Sequence, residues 1–263
     1  MGEGRGEGET HATGKTRRPH SPTARAKHSA PPIEEIIRGI HAAYGALPWR
    51  PHGDGITELI LTILSQHTAD TNSGKAFANL ITLFPDWDSI RTASVAQIAE
   101  ATRAAGLSAS KAPRIKAALE QIKDERGDYD LRFLIDLPLE EARSWLTSLK
   151  GVGPKTAACV LMFALGRPAL PVDTHVFRVS HRLGLLPPKA TVEAAHRILE
   201  SAMPAEVIYD FHVGLIKHGR HVCFARSPAC AACVLNDICP SAFTFPKPGD
   251  RSRLARRSGA TGA

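Results

Sequence analysis

In the stretch LKGVGPKTAACVLMFAL, which begins at Leu149, the turn Gly151-Val152-Gly153 delivers Lys155 into an apolar run that reads as a buried helix. Lysine is costly to bring near a core. Either its stem reaches back to water, or the chain needs an amine there. Asp173 follows in LPVDTHVFRVSHRLGL, just before an amphipathic run carrying Val176, Val179 and Leu183. Read locally, Asp173 is an N-cap that accepts from first-turn N–H groups. Set across a cleft from the lysine, it is a carboxylate beside an amine. That pair suits one chemistry. A neutral amine attacks the sugar C1′ of a damaged nucleoside, expels the base and leaves a Schiff base. The carboxylate takes the amine's proton and steadies the positive charge that develops on the sugar.

A second set of reactive residues lies further on. Cys223, Cys230, Cys233 and Cys239 in CFARSPACAACVLNDIC are spaced C-x6-C-x2-C-x5-C. Four thiolates so close in sequence can close on one centre, zinc or an iron–sulfur cluster. Zinc ribbons usually bring two C-x2-C knuckles from separate hairpins. Here one knuckle sits in a single loop followed by Pro240, which favours the cluster. Cys159, the fifth cysteine, reads as a small buried hydrophobe.

These groups must be held by helices. Ile33, Ile36, Ile37, Ile40 and Tyr44 share one face, and Ile56, Leu59, Ile60, Ile63 and Leu64 share another. The same period predicts helices near 73–83, 95–104, 111–123, 139–148, 155–165, 174–183, 191–202 and 206–218, punctuated by glycine and proline. No sustained alternation of period two occurs, so the expected class is all-α. A helix ending near Leu149, then the glycine turn, then Pro154 in a first helical turn predicts a helix-hairpin-helix. Its glycines permit positive φ and close approach of a ligand, its N–H groups suit a phosphate, and Val152 plugs the turn against the core.

The chain has 263 residues and a net charge of +7, which favours a polyanionic partner. No apolar run approaches the roughly 18–20 residues of a membrane span. The first 31 residues and the tail from about Phe245 hold almost nothing to bury and read as disordered. An intracellular protein without a membrane segment is the expectation.

Taken in order, LKGVGPKTA, VDTHVFRV and HGRHVCFARSPACAACVLNDICP, with LILTILSQHTADTNSGKA and AGLSASKA before them, resemble the endonuclease III branch of the helix-hairpin-helix DNA glycosylase superfamily. The resemblance covers roughly residues 32–242. It implies a two-lobed all-α enzyme of base excision repair with double-stranded DNA in the groove between lobes. One lobe, 49–167, is a six-helix barrel ending in the hairpin. The other, 32–48 with 168–242, carries a [4Fe–4S] cluster on the four cysteines. A basic arm (1–31) and a basic tail (243–263) flank them. By match of motif, Lys155 is the Schiff-base nucleophile and Asp173 the catalytic carboxylate of a bifunctional DNA glycosylase and abasic-site lyase, monomeric and nucleoid-associated as in bacteria, that acts on oxidised pyrimidines. Gly151, Val152 and Gly153 meet the DNA backbone. His175 is either near that backbone or the pocket, or simply a half-exposed helix residue. Arg226, in the loop shaped by the cluster, meets phosphate.

Such an enzyme extrudes a nucleotide and fills the gap behind it. The glutamine that does this in the family is replaced here by His67, with Gln66 one place earlier, so either can be the plug. Leu107 matches the apolar wedge, or is a helix-end contact. The adenine glycosylase of the same fold needs a glutamate where this chain has Leu61-Thr62-Ile63-Leu64, lacks the hairpin lysine and carries a further C-terminal domain, for which no room is expected after 245. A non-catalytic iron–sulfur DNA-binding protein is the other alternative, and the pairing of Lys155 with Asp173 argues against it.

Overall fold

The computed structural model describes residues 30–245. The expectations for the arm and tail lie outside the described residues, apart from a few positions at each boundary. Among the described residues there is no strand, and the chain forms eleven α-helices: α1 Ile33–Tyr44, α2 Gly55–Ser65, α3 Asp70–Leu83, α4 Trp87–Thr92, α5 Val95–Ala101, α6 Ser108–Arg126, α7 Leu139–Ser148, α8 Pro154–Cys159, α9 Thr174–Arg182, α10 Val192–Ser201 and α11 Ile208–His221.

Local chemistry accounts for where the periodicity misjudged them. Helix α4 was not expected; its six residues are too few to show a period, and Asp86 starts it by accepting from Ser89 N at 2.7 Å. Helix α3 begins at Asp70 and α6 at Ser108, ahead of their first apolar residues. Helix α11 runs to His221, later than expected, after a 3-10 turn at Ala205–Val207. The predicted helix 155–165 is α-helical only to Cys159 and widens into a π-turn over Val160–Ala164. Such turns mark places where a register shift serves a site.

Two apolar cores form. One, from α2 to α8, buries Leu59, Ile60, Ile63, Leu80, Ile115 and Leu146 completely. The other joins α1 to α9, α10 and α11 through Ile36, Ile40, Val176, Leu199, Phe211 and Leu215. Each such side chain contributes about 1.5–3 kcal/mol of burial, set against the entropy of ordering the chain.

The segment that crosses from the first core to the second is clamped. Leu170 N donates to Glu200 Oε1 at 2.5 Å, and Arg143 Nη2 on α7 reaches Glu200 Oε2 on α10 at 2.8 Å. His196 and His212 lie 2.7 Å and 2.8 Å from the carbonyls of Leu170 and Pro171 through Nδ1. Burial holds both imidazoles below their usual range, hence neutral, so each Nδ1 carries the proton it donates. Three contacts thus fix the backbone just ahead of Asp173, and Arg143 anchors one of them through Glu200.

Candidate active site and cysteine cavity

A cavity of about 540 Å³ opens between the two cores, and Lys155 and Asp173 both line it. The hairpin sets the lysine. Gly151 has φ +85°, and a Cβ there would meet Arg114 Cδ at 2.6 Å, so only glycine fits. Gly153 corrects the expectation for both glycines: its φ is −97°, ordinary extended backbone. Space beside it is open, with nothing within 4 Å of a would-be Cβ. Val152 is buried as expected. Lys155 then enters the first turn of α8, half-buried, one turn before the buried Cys159 on the same cavity wall.

Asp173 does what the local reading says and also borders the cavity. It caps α9, its Oδ1 accepting from Val176 N at 2.7 Å. Among the described residues no ion pair within 4 Å joins it to Lys155, which leaves room for a ligand between amine and carboxylate. Cys159 offers no rival nucleophile: burial pushes its thiol up to about 12, and only the thiolate attacks.

Sequence reasoning missed Glu58, which lines the same cavity from α2. It is only 5% exposed. Its Oε1 accepts from Thr62 Oγ1 at 3.0 Å, while its Oε2 is buried with no hydrogen-bond partner. Burial pushes the carboxyl up to about 7, against the opposing pull of the Thr62 hydroxyl and the Lys155 charge. The signal was the polar strip Glu58, Thr62, Ser65 on the helix edge away from Ile56, Leu59 and Ile63.

At the rim, Gln66 and His67 differ sharply. Gln66 is drawn inward: Arg114 Nη1 donates to its Oε1 at 2.9 Å and its Nε2 reaches Thr156 Oγ1 at 3.4 Å. His67 is exposed with φ +54°. Leu107, φ +50°, is 61% exposed and starts α6 rather than closing a helix, which corrects the helix-end reading. Lys111 ties these two rim loops together. Its Nζ, buried among apolar groups, donates to Leu64 O (2.7 Å), Thr68 Oγ1 (2.6 Å) and Ala105 O (2.9 Å). Across the mouth, Arg220 Nη2 pairs with Asp70 Oδ2 at 3.0 Å. His175 is not brought into the cavity; its Nδ1 meets Arg178 Nη2 at 3.1 Å and it packs against Gly219. Arg226 is exposed in the loop after Cys223.

The four cluster cysteines surround a second cavity with Arg182, His218 and Leu235. Two sulfurs are met from outside: Arg182 Nη1 donates to Cys223 Sγ at 3.1 Å, and His218 Nε2 lies 3.3 Å from Cys233 Sγ. Burial lowers His218 to about 4, so its ring is neutral. Tyr44 OH lies 3.1 Å from the other ring nitrogen. Among the described residues no three His, Cys, Asp or Glu side chains gather tightly enough for one metal ion. Four thiols facing a shared space fit a cluster instead, whose ligands stand further apart. The cysteines would hold it, and it would supply a rigid centre for the loop.

Residues 60–205 match the family described as HhH-GPD superfamily base excision DNA repair protein, and 223–239 match the iron–sulfur binding domain of endonuclease III. A putative DNA glycosylase of Arabidopsis thaliana is 41% identical over 62% of this chain, which spans 55% of that relative's length. The endonuclease III of Sulfolobus acidocaldarius is 36% identical over 69% of this chain and 79% of its own. A trapped endonuclease III–DNA covalent intermediate superimposes with a TM-score of 0.69 at 27% identity, covering 84% of this chain and 97% of that one. The chain belongs to the HhH-GPD superfamily of base excision DNA repair proteins. Within it, this is an endonuclease III-like DNA glycosylase with an iron–sulfur motif on Cys223, Cys230, Cys233 and Cys239.

Proposed function

We propose that the protein is a bifunctional DNA glycosylase and abasic-site lyase that removes oxidised pyrimidines from double-stranded DNA, acting as a monomer with residues 49–167 as barrel and 32–48 with 168–242 as cluster domain. The observation that carries this is the sharing of one interlobe cavity by Lys155 at the hairpin and Asp173 at the α9 cap. Lys155 Nζ, once it has given up a proton, bonds to C1′ of the extruded nucleotide as the C1′–N bond breaks and the base leaves with its electron pair. Asp173 accepts the amine's proton and steadies the positive sugar. The C1′–O4′ bond then opens, O4′ taking up the proton held by Asp173, to leave a Schiff base; loss of the C2′ proton from it breaks the C3′–O bond and nicks the strand. Similarity to an endonuclease III trapped covalently on DNA supports the same assignment.

Gly151, Val152, Gly153 and Arg226 contact phosphate in this reading, and His175 steadies α9 against α11 beside the backbone. Of the two candidate plugs, exposed His67 fills the gap and tethered Gln66 supports it, while Leu107 is the wedge. The test is borohydride trapping on abasic DNA and on a panel of lesion duplexes. Wild-type protein should be captured, and Lys155→Ala should abolish capture with little change in DNA affinity. An adduct that survives in Lys155→Ala overturns the nucleophile.

A further inference from the structure

The lysine chemistry uses Lys155 and Asp173 and leaves one buried ionisable group of the same cavity unused. Glu58 stands one helical turn before Leu61, and both face the cavity. Its Oε1 is occupied by the Thr62 hydroxyl. Its Oε2 is buried and without a hydrogen-bond partner, the nearest ionisable nitrogen being His52 Nδ1 at 3.9 Å. Leaving a buried polar atom unpaired is costly. Nothing in the packing requires it, since Ile56, Leu59 and Ile60 around it are apolar and fully or almost fully buried. An atom kept unpaired at that expense, on the wall of a cavity open to a ligand, is a contact awaiting its partner.

Resting on the function proposed above, we propose that Glu58 is a specificity-determining residue whose Oε2 donates a hydrogen bond to a ring carbonyl oxygen of the extruded pyrimidine. Thr62 fixes the geometry: with its hydroxyl on Oε1, the carboxyl proton sits on Oε2 and points into the cavity. Burial, which raises the titration point of Glu58 to about 7, keeps that proton on a substantial share of molecules near pH 7. Lys155 and Cys159 on α8, Asp173 before α9, His52 ahead of α2, Asp70 on α3, and Tyr209, His212, Lys217 and Arg220 on α11 are the ionisable groups that share the cavity with it. Neither Lys155 nor Lys217 lies within ion-pair distance of its carboxyl. Pyrimidines oxidised across C5–C6 keep their ring carbonyls, so a donor here holds what that class has in common.

The experiment compares wild type, Glu58→Leu and Glu58→Gln in single turnovers on duplexes carrying thymine glycol, dihydrouracil or uracil, and on a duplex carrying a preformed abasic site. Glu58→Leu should slow base excision about 10- to 100-fold while trapping on abasic DNA is unchanged, because no base remains to be read. Glu58→Gln, whose amide N–H donates from the same place, should restore excision. Unchanged excision in Glu58→Leu overturns the proposal, as does equal loss in both variants. Parallel loss of the abasic adduct also overturns it, by making Glu58 merely structural. If wild type forms no abasic adduct or excises none of the three bases, the lyase or oxidised-pyrimidine reading itself fails and the Glu58 role with it. Failure of Glu58 alone leaves the wild-type adduct intact.

Discussion

Lys111 and Glu58 are both buried ionisable residues of the barrel lobe, 1% and 5% exposed, and they are treated in opposite ways. Lys111 has three acceptors within 2.9 Å and joins α2, the His67 loop and the Leu107 loop. Glu58 has one partner for its two oxygens and faces a cavity. Burial lowers Lys111, helped by the charge of Arg114, and raises Glu58. What separates a structural charge from a functional one here is whether the protein itself satisfies it. Fully bonded Lys111 holds elements together; half-bonded Glu58, on the reading proposed above, keeps one oxygen for the base.

The contrast can be broken most forcefully at the cysteine cavity, where four ligands await one centre. Cys230→Ser should lose iron and the brown absorption of an iron–sulfur protein, and should destabilise the second lobe, because cluster binding is folding free energy there. A colourless wild-type protein that contains zinc would refute the cluster. Next, Lys111→Met should lower stability by several kcal/mol, because the Leu64 carbonyl and the Thr68 hydroxyl oxygen lose their donor at about 1–3 kcal/mol each, while Ala105 O keeps the Thr68 hydroxyl. A denaturant midpoint equal to wild type would show that the three bonds are not what joins the loops.

The third effect is pH-dependent. Folding raises Glu58 from 4.5 to about 7, so between those values the folded state keeps a proton that the unfolded chain has released. Wild type should therefore lose stability relative to Glu58→Leu as pH rises through that window, by about 2–3 kcal/mol overall. Denaturation of the pair at about pH 5 and about pH 8 measures the difference; a gap that stays constant, or moves the other way, would refute a buried protonated carboxyl. The smallest change belongs to Asp173→Asn. Asparagine caps helices nearly as well as aspartate, so stability should shift by less than about 1 kcal/mol while base removal slows. Turnover at the wild-type rate would reduce Asp173 to its cap.

Much of this was legible in the sequence because it is periodic or local. The isoleucines of α1 and α2 show their faces directly, and Gly151, Pro154 and the one C-x2-C knuckle announce geometry by residue type. What escaped was either too short to have a period, as α4, or dependent on a partner distant in the chain. Glu58 sits among apolar neighbours, and its unpaired oxygen acquires meaning only when α8 brings Lys155 to the same cavity. Lys111 looks like a surface residue in AGLSASKA until the carbonyls of Leu64 and Ala105 close over it. The choice between Gln66 and His67 likewise turned on Arg114, nearly fifty positions later.

His67 and Leu107, neither of them glycine, hold left-handed backbone in the free protein. Each such residue carries about 1–3 kcal/mol of conformational strain, and the lysine-centred knot beneath them keeps it from relaxing. In the function proposed above these two residues are the plug and the wedge, and their backbone is set before any duplex arrives.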